Sequence, residues 1–111
     1  MDIVNLKQRD TWRHSDVTNK KKTFWPVDFD TQDFQTATFC INPGGNVHRH
    51  KHKSEENFWY IVSGSGVVEI DGVDHPVVEG DALVIPRGAF HSARTDEKTR
   101  MRILQVAAKN A

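Results

Sequence analysis

Polar residues without a clear period fill positions 1–23, and from Phe24 onward the texture of the chain changes. Short runs rich in Val, Ile, Phe, Trp and Thr then recur every eight to twelve residues, each bounded by Gly, Pro, Asp or Asn, the spacing of an all-β sandwich or barrel. The pattern predicts strands over 24–29, 36–41, 47–52, 57–62, 67–70, 73–78, 82–85, 90–95 and 101–107, and no stretch of helical period competes with them. Asp71-Gly72 lies between two β-rich runs, where a two-residue loop needs positive φ at both positions, so it is expected to close a hairpin. Pro43-Gly44-Gly45 and Pro86-Arg87-Gly88 each precede a histidine-bearing segment and read as turns.

At 111 residues the chain fits one domain with one core, read as an arm over 1–23 and a barrel over 24–111. Lys plus Arg balance Asp plus Glu at 15 each, so the net field argues for neither nucleic acid nor an anionic membrane as partner, and the Lys20-Lys21-Lys22 run reads as a solvated segment. A single cysteine, Cys40, excludes an intrachain disulfide and suits a reducing cytosol. No apolar run near the start is long enough for a leader or a membrane span, so a cytoplasmic location is expected.

The chemistry concentrates in the histidines. His48, His50 and His52 alternate, so on a regular strand all three share a face, with Arg49 and Lys51 on the other. If the cationic face meets solvent, the histidines enter an apolar lumen, where a divalent transition metal is the simplest partner for converging neutral imidazoles. Iron, manganese, nickel, zinc and copper all accept such ligands. His91 stands beyond the second Pro-Gly turn and gains its interest from that context.

Two spaced motifs then resemble a known family. Gly44, five residues, His50, one residue and His52 is similar to the opening of the first cupin motif, which Gly64 would close. Gly80, five residues, Pro86, one residue, Gly88, two residues and His91 is similar to the second. The resemblance covers about residues 36–107. It implies a double-stranded β-helix, or jelly roll, often a homodimer, with a metal held inside by two histidines and a glutamate of the first motif and one histidine of the second. On this chain those positions are His50, His52 and His91, with the glutamate's place open. The family's spacing back from Gly64 reaches Asn57, whereas its spacing forward from His52 reaches Glu56. Adjacent strand residues face opposite sides, so only one can point inward. The glycine spacing is a turn constraint and favours Asn57, with Trp59 and Ile61 inward and Phe58, Tyr60 and Val62 as an outer apolar face for a covering partner. His48 is a further candidate ligand or supporting group. Thr95 stands where the family usually has an asparagine.

Three histidines with a neutral amide would leave a divalent site at +2, suited to an anionic substrate that chelates through two atoms. Trp59, Arg87 and Arg94 are the candidate pocket residues, the arginines for a substrate carboxylate or phosphate. The expected function is therefore a metal-dependent enzyme on a small polar molecule: an oxygenase, or an isomerase, epimerase or lyase acting on a sugar or keto acid. The alternative is a non-catalytic ligand-binding or sensor module, which the arm is too short to couple to its own helix-turn-helix.

Overall fold

The computed structural model describes Ile3, Asn5 and residues 27–51 and 55–109. Apart from those first two residues, the expected arm lies outside the described residues, as does the start of the first expected strand. The described residues form eight strands: β1 Val27–Asp30, β2 Phe34–Ile41, β3 Asn46–His50, β4 Glu56–Ile70, β5 Val73–Val78, β6 Ala82–Ile85, β7 His91–Arg94 and β8 Met101–Ala108. All pairings are antiparallel, in the order β1-β2-β8-β4-β7-β3, with β5 and β6 also paired to β4. The curled all-β sheet agrees with the barrel that the strand pattern predicts and with the jelly roll that the resemblance implies.

The strands expected at 57–62 and 67–70 are one element. β4 runs unbroken for 15 residues, pairing first with β6 and β8 and then with β5 and β7. Its register against β8 slips between Ile61 and Ser63, and Gly64 takes φ +84 immediately afterwards, so the strand bends from one half of the barrel into the other. A side chain there would collide with backbone, since a Cβ on Gly64 would lie 1.7 Å from the Arg100 carbonyl oxygen. The glycine that looks like a terminator is thus a bend. The Asp71-Gly72 hairpin forms as expected, with Ile70 opposite Val73 and φ of 47° and 86° at the two loop residues.

Alternation along the strands builds the core. Phe39 and Ile41 of β2, Trp59 and Ile61 of β4, and Met101 and Ile103 of β8 are fully buried, and the Phe39 ring meets Trp59 edge-on at 5.6 Å. Outside, Phe58 and Tyr60 are each 39% exposed and Val84 is 54% exposed, an apolar face on the β4–β6 half.

Candidate metal centre

The approach of His50 to His91 comes from an irregularity in β3. Val47 lies opposite Ala93 and His50 opposite His91, so two residues, His48 and Arg49, oppose the single Ser92. This is a β-bulge, and it reverses the parity of everything after it. Val47 and His50 consequently face the interior together, beside the buried Ala93 and His91. The expectation that His48 and His50 share a face is corrected: His48 falls in the bulge and is exposed. Its contribution is its main chain. The His50 Nδ1–H donates to the His48 carbonyl oxygen at 2.7 Å. A carbonyl can only accept, so in the neutral ring Nε2 is left carrying the lone pair.

His91 opens β7 between two neighbours, with Ile70 of β4 opposite it on one side and His50 on the other. It is 1% exposed, its ring lies 4.2 Å from that of His50, and its other flank meets the edge of Trp59 at 5.8 Å. Trp59 is fully buried, and its indole N–H donates to Gln105 Oε1 at 2.8 Å. Gln105 was not among the sequence candidates. Its only signal is a polar residue in the inward row Met101, Ile103, Gln105 and Ala107 of β8.

Of the two adjacent candidates on β4, Asn57 is the inward one at 1% exposure, and Glu56 is exposed on the outer face. The Asn57 Oδ1 is buried and has no hydrogen-bond partner among the described residues. A buried unsatisfied oxygen costs about 1–3 kcal/mol, which a bound cation would offset. This amide and the histidine pair are the donor types a borderline divalent metal accepts. His52 lies outside the described residues. Among the described residues no group of three or more His, Cys, Asp or Glu side chains is placed to hold a metal, so His50 and His91 would need Asn57, His52 or solvent to complete a coordination sphere.

The arginines do not join this group. His91 and Ala93 point inward, so Arg94 points outward, where its Nη2–H donates to Asp74 Oδ2 at 2.8 Å and both side chains are half exposed. The hydrogen bond from Arg94 holds the Asp74 carboxyl below its ordinary value. Arg94 instead helps to line a cavity of about 350 Å³ with Val67, Pro76 and Asp96, which neither histidine reaches. Arg87 is exposed in the turn before β7. Arg94, engaged by Asp74 on the outer face, is turned away from the histidine pair.

One carboxylate does lie behind the pair. Glu69, 8% exposed on the outer side of β4, accepts from the Ser92 hydroxyl at 2.9 Å, from Arg49 Nε at 3.2 Å and from the Gly72 amide at 2.5 Å. The Gly72 N–H, joined by Ser92 and Arg49, holds its carboxyl below the usual carboxylate range against the opposing push of burial. Sequence reading overlooks Glu69, because its partners at 49 and 92 are remote in the chain.

Comparison with known proteins bears on the family and the fold. The family model described as Cupin domain matches residues 37–107. An oxalate-binding protein of Thermotoga maritima is 36% identical over 70 residues, 63% of this chain and 58% of that protein. The dimethylsulfoniopropionate lyase DddW of Ruegeria pomeroyi is 45% identical over 51 residues, 46% of this chain and 33% of that protein. The chain thus spans only about a third to three fifths of these relatives. Among solved structures, a cupin protein from Bacteroides fragilis superimposes with a TM-score of 0.72 at 21% identity, covering 83% of this chain and 84% of that one, a likeness of fold.

Proposed function

The chain belongs to the cupin family, and from that premise we propose that its barrel holds one divalent transition metal on His50, His52 and His91, with Asn57 Oδ1 in the place of the family's glutamate, to act on a small carboxylate. The observation that carries the reading is the meeting of two imidazoles from β3 and β7 at 4.2 Å beside a largely apolar core. A bound ion would supply Lewis acidity and a positive charge that the neutral ligands leave uncompensated. The chain's own residues do the rest. The His48 carbonyl fixes which nitrogen of His50 is left to bind, Trp59 packs against His91 with Phe39 behind it, and Gln105 holds the indole in place. With Arg94 engaged outside by Asp74, an anionic ligand would depend on the metal for its charge partner. The names of two relatives, one binding oxalate and one a lyase of a propionate, support a small carboxylate and a carbon-centred enzymatic reaction. The oxalate-binding relative equally supports a second reading, a module that binds such an anion without converting it.

Elemental analysis of untagged protein should find about one transition metal per chain, and oxalate or small keto and hydroxy acids should bind only while it is present. Carboxylate binding that survives complete chelation would sink the metal-dependent reading. Product formation on the same panel separates the enzyme from the binding module.

We also propose a second copy of this chain as the cover for the exposed face of Phe58, Tyr60 and Val84. Sedimentation should then give twice the chain mass of 12.7 kDa, and Phe58→Glu should halve it. A wild-type monomer at micromolar concentration would rule the pairing out.

A further inference from the structure

We propose that Glu69 is a positioning residue for the histidine pair. From the outer side of the sheet it fixes β3 against β7 behind His50 and His91, and so sets the affinity and geometry of the metal site without touching the metal. The inference rests on the metal-binding reading above.

Strand order places β4, β7 and β3 side by side. Glu69 of β4 lies opposite Ser92 of β7, and Ser92 in turn faces the bulge that contains Arg49 of β3. One outer row therefore runs Glu69, Ser92, Arg49. The next row, on the inner side, runs Ile70, His91, His50. Each member of the outer row is covalently adjacent to its inner counterpart, so the spacing of one row sets the spacing of the other.

The Glu69 carboxylate ties that outer row together, accepting from Ser92 on the middle strand and from Arg49 on the far one. The Gly72 amide anchors the same carboxylate to the hairpin loop. The loop braces the other side of His91, because Asp71 exchanges two hydrogen bonds with Phe90, through its Oδ1 at 2.9 Å and its N–H at 2.8 Å. Arg49 is further pinned over the Phe90 ring at 4.4 Å. Burial separates this arrangement from an ordinary surface pair. The Arg94–Asp74 pair is half exposed on both sides, whereas the Glu69 side chain is nearly dry and holds donors from three segments. Desolvating a carboxylate is costly unless such donors replace water, and once they do, their geometry is rigid.

The test compares the full-length protein with Glu69→Ala, Glu69→Gln, Ser92→Ala and, as a control on the same face, Asp74→Asn. Two readouts are used: the ring nitrogen NMR signals of His50 and His91 in metal-free protein, and the affinity and visible spectrum of added Co(II). Glu69→Ala should weaken Co(II) binding by roughly 10–100-fold, the range for groups that orient ligands from outside, shift the Co(II) bands and move both ring signals. Glu69→Gln, which keeps the shape and one acceptor, should restore part of each, and Asp74→Asn should change none. A folded Glu69→Ala protein with wild-type ring signals and a wild-type Co(II) spectrum overturns the proposal. Should that variant not fold, unchanged ring signals in Glu69→Gln and Ser92→Ala overturn it equally. If the wild type binds no Co(II), the metal reading fails, while the ring signals still decide whether Glu69 positions the pair.

Discussion

Replacing His91 by alanine is expected to weaken divalent-metal binding by more than about 100-fold, beyond the roughly 10–100-fold that loss of an outer supporting group causes. His50→Ala should do the same from the more accessible side of the pair, with less disturbance of the core, because His50 is only half buried whereas His91 is 1% exposed. Asn57→Asp should act in the opposite direction. Its side chain keeps the shape of the amide but supplies an anionic oxygen where Oδ1 now lies buried without a donor among the described residues. Affinity should rise by about tenfold or more, 1.4 kcal/mol on the binding scale. The same change would lower the net charge at the site and weaken the capture of an anionic ligand. Calorimetry with Zn(II) or Co(II), with circular dichroism to confirm folding, checks all three variants. If His91→Ala and His50→Ala bind as tightly as wild type, the histidine pair is not the metal site.

Gly64→Ala should cost more than about 4 kcal/mol of stability, or prevent folding altogether, because two penalties coincide. The backbone at Gly64 has φ +84, and the added carbon would lie 1.7 Å from a carbonyl oxygen that cannot swing away. Gly80→Ala supplies the comparison. It has φ +93 with nothing within 4 Å, so it carries the strain without the collision and should cost about 1–3 kcal/mol. Denaturant midpoints of the two variants isolate the close approach of β4 to β8. Equal losses would mean that the bend tolerates a side chain. The bend matters to the site because one strand places Asn57 and Trp59 in one half of the barrel and, in the other, sets Ile70 beside His91 and Glu69 behind it.

What the sequence by itself determined is local. Two-residue alternation located the strands, the motif spacing back from Gly64 favoured Asn57 over Glu56 as the inward residue, and Asp71-Gly72 announced its hairpin, because side-chain parity, turn spacing and positive φ are properties of short stretches of chain. The same alternation failed at His48. Whether a strand bulges depends on the partner it pairs with, and only the register against β7 set two residues against Ser92. Alternation also says nothing of Glu69, whose Ser92 and Arg49 donors come from 23 and 20 residues away, and although parity from His91 turns Arg94 outward, its Asp74 partner lies 20 residues away. Tertiary structure therefore decided which imidazoles meet, which arginine is engaged outside and which carboxylate braces the pair. Those outcomes depend on pairing between distant strands, which no short stretch of the chain encodes on its own.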